Sequence, residues 1–380
     1  MKNFIGFKSL IFFSIISAVI ITAPKCYNDS VDESYNNIDI DAAVSCTATK
    51  LRAIPTDPKA EGPWPVGSKS ITISGLSAEV WYPATPGSQA GKTHDSYCMK
   101  DYIPGMSGTV QEHTWYMNSY RDLPLDTAYG KYPVIVLVHG TGSFKYAAHV
   151  YCAHWASRGF VVVSADNPKI FITDVLASAA NILLADQKGD TRKLLAALRA
   201  PSGSLAFLKG YIDTTRFGLT GHSAGGAAVT GLNNETGVRV IMPMAGPGII
   251  YKGLNLESVL YLAGIKDNTA PWSLNQTNYA LSTVTKKRLV GIPDAGHMVF
   301  TNVCESVAKS GNYGVDLSSL ETVANDGCGS GYINQELGWE IVNYASTAVF
   351  EEVLQCNKTS VSSINAITGK YSGVVYKKTY

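Results

Sequence analysis

Gly221-His222-Ser223-Ala224-Gly225 constrains this chain more than any other stretch, because it sets a serine between two glycines where a strand gives way to a helix. The run Phe217-Gly218-Leu219-Thr220 reads as a short buried strand. Ala227-Ala228-Val229-Thr230-Gly231-Leu232 is apolar enough to open a packed helix. A chain that passes from one to the other in so few residues turns sharply, and the serine at the apex takes a strained backbone position. Small residues two before and two after it are then needed to clear the neighbouring strand and helix. Gly221 and Gly225 meet that need, so the pattern is that of a nucleophile elbow. The alternative is a glycine-rich connection holding a buried serine.

A serine hydroxyl is a poor nucleophile at neutral pH, so the elbow requires a histidine base and a carboxylate to orient it. Val259-Leu260-Tyr261-Leu262-Ala263-Gly264 is an apolar strand, followed by a loop with Asp267 near its start. Lys287-Arg288-Leu289-Val290-Gly291-Ile292 reads as another strand and runs into Pro293-Asp294-Ala295-Gly296-His297. Of the seven histidines, only His297 combines a strand-end loop with a position downstream of the candidate acid. His222 adjoins Ser223 and should diverge from the hydroxyl, as packing or pocket wall. His94, His113, His149 and His154 precede the serine and read as surface or helix residues. Asp294 and Asp166 compete with Asp267 as the acid. Asp294 shares the loop of His297, and Asp166 ends an earlier strand, so Asp267 is favoured.

The oxyanion of a tetrahedral intermediate needs two backbone N–H donors. The β-branched run Pro133-Val134-Ile135-Val136-Leu137-Val138 is a buried strand ending in His139-Gly140-Thr141-Gly142. By position the donors are the amides of Thr141 and Ala224, with His139 propping the loop.

Trp81-Tyr82-Pro83-Ala84, His139-Gly140-Thr141-Gly142, the stretch from Arg216 to Gly226, and the later Asp267 and His297 resemble the α/β-hydrolase superfamily. Within it the chain is most similar to the branch of dienelactone-hydrolase-like proteins, platelet-activating-factor acetylhydrolases, chlorophyllases and cutinase-like polyester hydrolases. The resemblance spans about residues 60 to 355. It implies carboxylic-ester hydrolysis through an acyl-serine intermediate, with no cofactor. Dienelactone hydrolases use a cysteine nucleophile, and Ser223 counts against that activity.

Strand patterns near residues 80–82, 134–138, 161–165, 217–220, 240–244, 259–262 and 289–291 alternate with helical stretches at 174–184, 191–199 and 339–354. Such alternation predicts an α/β fold, a mostly parallel central sheet with helices on both faces and catalytic loops at the strands' C-terminal ends. The expected organisation is a signal peptide or signal anchor over 1–25, a linker over 26–50, one catalytic domain over 51–356 and a C-terminal tail over 357–380. Within it, Lys370 to Tyr380 reads as a solvated end, with an edge strand as the alternative. Two excursions, Lys92 to Tyr129 and Thr301 to Glu336, either wall the cleft or are plain solvent loops.

Lys2 and Lys8 precede an apolar core at 10–21 that is short for a membrane span, which favours a signal peptide and a secreted protein. Seven cysteines suit an oxidising compartment; setting Cys26 aside leaves six, enough for three bridges, with Cys304 and Cys328 the best pair. No C-x-x-C spacing points to a metal. With 31 basic and 30 acidic residues there is no electrostatic footprint for nucleic acid.

The function expected is a secreted serine ester hydrolase on apolar acyl or aryl esters of lipid, phospholipid or polyester type, with a lipid or polymer surface as a further partner. Trp272 and Met298, beside the acid and base, join His222 as pocket candidates. The competing readings are an amidase or peptidase with the same triad, and a non-catalytic binding protein on the same fold. The sequence sets no oligomeric state.

Overall fold

The computed structural model describes residues 50–305, 314 and 325–380, so the expected leader and all but the last residue of the linker lie outside the described residues. Its strands begin with β1 (Val66–Ile73), β2 (Leu76–Pro83), β3 (Ser96–Cys98), β4 (Thr114–Tyr116), β5 (Tyr120–Arg121), β6 (Tyr132–Val138) and β7 (Val161–Ala165). They continue with β8 (Ile212–His222), β9 (Val238–Met244), β10 (Ser258–Gly264), β11 (Lys286–Ile292) and β12 (Val375–Thr379). The helices are α1 (His149–Ser157), α2 (Ile172–Ala177), α3 (Gln187–Arg199), α4 (Ala224–Thr230), α5 (Trp272–Leu281) and α6 (Gln335–Leu354), with short helices at 359–365 and 367–370.

Ten strands form one sheet in the order β12-β11-β10-β9-β8-β6-β7-β2-β1-β5. From β7 through β6, β8, β9 and β10 to β11 the neighbours are parallel, and antiparallel β2 and β12 flank that block. Strand alternation explains the two cores. On β6, Ile135 and Leu137 enter one apolar cluster while Val134, Val136 and Val138 enter the other. α1 and α6 cover the first face; α3, α4 and α5 cover the second. Strands buried on both faces read as continuous apolar runs, which is why the central ones were legible from sequence.

The Lys92 to Tyr129 excursion is no solvent loop. It contributes Tyr97, Met99, Tyr102, Ile103, Trp115 and Met117 to the first core, where they meet Phe144 and Tyr146. The tail takes the edge-strand alternative, with β12 antiparallel to β11. Among the described residues no helix is long and apolar enough to cross a membrane.

The three-bridge expectation is corrected. Cys304–Cys328 is bonded, with Cα atoms 5.2 Å apart, but Cys98 and Cys152 are free thiols. Cys152 lies inside α1 under the sheet, where burial raises its thiol pKa and keeps it unreactive. Cys356 is also in a disulfide.

His149 and His154 are helix residues as expected, and both are buried rather than at the surface. Burial pushes each down to about 4. In the unfolded chain they titrate near 6.5, so between about pH 4 and 6.5 the unfolded state binds more protons and stability falls as pH falls. Going from pH 7 to 5 should therefore cost about 2 kcal/mol per histidine. Urea unfolding at the two pH values checks this: His149→Phe should lose its share of the pH dependence, and an unchanged dependence would refute the burial argument.

Candidate active site

β8 ends at His222, and α4 starts at Ala224, so Ser223 alone makes the turn, with φ 54° and ψ −120°. A non-glycine residue there stores on the order of 1–3 kcal/mol of strain. The flanking glycines are sterically required. A Cβ on Gly225 would sit 2.1 Å from the carbonyl oxygen of Val138 and 2.5 Å from that of His139; one on Gly221 would sit 2.6 Å from the Gly225 carbonyl. Because these are backbone atoms of β6 and of the elbow itself, no side-chain rotation relieves the clash. Gly225→Ala should destabilise the fold by about 3 kcal/mol, measurable as a lower urea midpoint; a wild-type midpoint would show that the elbow can relax.

His297 lies just after β11, and Asp267 just after β10, on adjacent parallel strands. The His297 Nδ1–H donates to Asp267 Oδ2 at 2.9 Å, and both side chains are buried. Asp267 Oδ1 accepts the N–H groups of Thr269 at 2.8 Å and Ala270 at 2.6 Å. That leaves His297 Nε2, the nitrogen away from the carboxylate, without a hydrogen-bond partner among the described residues.

The competing carboxylates are elsewhere. Asp294 is exposed and pairs with Lys266 at 2.8 Å, while Asp166 accepts the backbone N–H of Lys145 at 2.9 Å and pairs with its Nζ. His222 takes the packing alternative. Its ring lies 4.6 Å from that of His297, and its Nε2–H donates to the His297 carbonyl at 3.0 Å. Burial and the neighbouring His297 hold its pKa well below the usual histidine range, so it stays neutral. This contact also holds the His297 ring near the elbow, since His222 precedes Ser223.

The glycine loop after β6 abuts the elbow: a Cβ on Gly140 would lie 3.1 Å from Ser223 Cβ. His139 braces that loop. Its Nδ1–H donates to the Gly140 carbonyl at 2.8 Å, and its Nε2 accepts the Asn167 N–H at 2.9 Å. Burial lowers its pKa, which suits the neutral tautomer those two bonds require. The amides of Thr141 and Ala224 donate to no group among the described residues, whereas those of Gly142 and Ser143 are bonded. Met298 is half-buried beside His297. Trp272 begins α5 and packs on Gly291 of β11, where an added Cβ would meet its ring at 2.7 Å; this is a core contact.

Sequence reasoning missed Asp326. It lies in the second excursion, two residues before Cys328, and its carboxylate accepts the Thr269 N–H at 2.9 Å, sharing that donor with Asp267. Asn325-Asp326-Gly327 carries only a turn signal, and nothing local marks a partner 57 residues away.

A family model described as "PETase: PET hydrolase-like" matches residues 106–316. No curated protein matches the chain. Among solved structures, the ferulic acid esterase from Streptomyces cinnamoneus superposes with a TM-score of 0.60 at 18% identity, covering 78% of this chain and 92% of that one. Likeness at that identity is a likeness of fold.

Proposed function

Since the chain belongs to the PET hydrolase-like family and is a carboxylic ester hydrolase, we propose that Ser223, His297 and Asp267 are its catalytic triad. Ser223 Oγ attacks the ester carbonyl while His297 Nε2 takes the hydroxyl proton. The N–H groups of Thr141 and Ala224 receive the oxyanion. His297 then passes the proton to the leaving alcohol, and a water activated by the same nitrogen cleaves the acyl-serine and releases the acid.

The observation that carries this reading is the His297 side chain, bonded to Asp267 through Nδ1 and, among the described residues, unpartnered at Nε2, with its ring against the residue that precedes Ser223. A neutral imidazole held in that tautomer presents a lone pair as general base. The two unpartnered amides support the oxyanion assignment, because a donor that needs no rearrangement stabilises developing charge best.

The substrate class we propose is an apolar acyl or aryl ester, polyester included. The family's description supports the polymer. The half-buried Met298 beside His297 supports an apolar group at the ester. The disulfides and the apolar N-terminal stretch support secretion.

Hydrolysis of p-nitrophenyl esters of increasing acyl length tests the reading, with an aromatic polyester film and a matched amide in parallel. Ester turnover with a chain-length optimum is the expected result and sizes the acyl site. Faster cleavage of the amide would overturn the ester assignment.

A further inference from the structure

Asp267 and His297 sit on loops that follow adjacent strands and are joined at their bases, where the Ile265 N–H donates to the Ile292 carbonyl at 3.0 Å and the Lys266 N–H to the Ala295 carbonyl at 2.9 Å; both side chains lie past those bonds. Asp326 spans the two loops. Its Oδ2 accepts the N–H groups of Asn268 at 3.0 Å and Thr269 at 2.9 Å and the Thr269 hydroxyl at 2.8 Å, and its Oδ1 accepts Asn268 Nδ2 at 3.3 Å. Its backbone carbonyl accepts the N–H of Met298, the residue after His297, at 2.8 Å. One residue thus holds the acid loop with its side chain and the base loop with its main chain.

The turn that carries Asp326 is pressed onto the histidine loop. A Cβ on Gly296 would lie 2.5 Å from the Cα of Gly327, and the Ile333 N–H donates to the Asp294 carbonyl at 2.8 Å. Two residues beyond Asp326, Cys328 is bonded to Cys304, which follows the His297–Phe300 turn. The disulfide therefore anchors the turn to the loop that Asp326 braces.

We infer that Asp326 is a positioning residue for ester hydrolysis, clamping the loops of Asp267 and His297 together so that the Oδ2 to Nδ1 bond keeps its length, with Cys304–Cys328 holding the clamp in place. This rests on the triad proposed above. The carboxylate is needed, and not just any polar group, because it must accept from four donors and offer none. A misplacement of about 1 Å in such a constellation lowers turnover about 100-fold.

The test is steady-state kinetics on a p-nitrophenyl ester for Asp326→Ala, Asp326→Asn, Asp267→Asn, the Asp326→Ala/Asp267→Asn double variant and a Cys304→Ser/Cys328→Ser variant. Asp326→Ala should lower kcat about 100-fold while KM changes little. Asp326→Asn should lie between it and wild type. In the Asp267→Asn background the same change should cost much less, because the clamp then has no carboxylate to position. The cysteine variant should lose turnover in the same direction. Should Asp326→Ala fail to fold, the Asp326→Asn pair of measurements carries the comparison. Wild-type kcat in folded Asp326 variants, or an equal loss in both backgrounds, would overturn the inference and leave the triad standing. An undiminished kcat in Asp267→Asn would instead remove the triad reading, and the inference with it.

Discussion

Ser223→Ala should abolish ester turnover while leaving the protein folded. The hydroxyl makes no hydrogen bond among the described residues, so its removal strands no partner, and the methyl that remains occupies the same half-buried site. Without a nucleophile the acyl-serine cannot form, and the loss in kcat should be about 10⁶-fold. Adding His297→Ala to that variant should cost little more, because a base with no proton to remove contributes nothing. Ester kinetics alongside thermal unfolding check both parts. Substantial turnover by a folded Ser223→Ala protein would place the nucleophile elsewhere.

The second large effect is expected at Asp267→Asn, which changes the charge and barely the shape. Asp267 Oδ1 already accepts two backbone N–H groups, from Thr269 at 2.8 Å and Ala270 at 2.6 Å. An asparagine keeps one acceptor oxygen, and those two donors will claim it. Its amino group then faces His297 Nδ1, which must turn from donor to acceptor. The imidazole proton moves to Nε2, where it blocks the lone pair that should receive the serine proton. Loss of the negative charge also leaves a forming imidazolium uncompensated in a buried site. Together these should lower kcat about 10⁴-fold. Measuring kcat for this variant, with its unfolding curve as control, decides whether Asp267 sets the tautomer; a loss under about tenfold would argue that it does not.

Much of the scaffold was legible because its signals are local. Buried β-branched runs marked β6 and β7, an apolar run marked β10, and the glycine spacing around Ser223 marked the elbow, each within a few residues. The strands toward the sheet's ends were harder: β1 opens to solvent along its second half, and β12 has no buried position and carries Lys377 and Lys378. α1 was touched only through His149 and His154, read as surface or helix residues, because an apolar segment buried nearly all round gives no amphipathic stripe to read. Of the cysteines, the Cys304–Cys328 pair was legible because both lie in one excursion, but that Cys98 and Cys152 stay free was not, since pairing depends on which Cα atoms the fold brings close.

By itself the sequence determined the α/β class, the place of the turn that bears Ser223, and the identities of the strand-end loops that carry Asp267 and His297. Those depend on residue size, backbone freedom and hydrophobic period over short windows. Only the tertiary structure decided which carboxylate meets the histidine, that His222 packs on His297, that Cys152 stays a free thiol inside α1, and that Asp326 reaches across from the disulfide-bonded turn. Each of these is a contact between segments distant in the chain. Strand order and register set such distances, and no short window of sequence contains them.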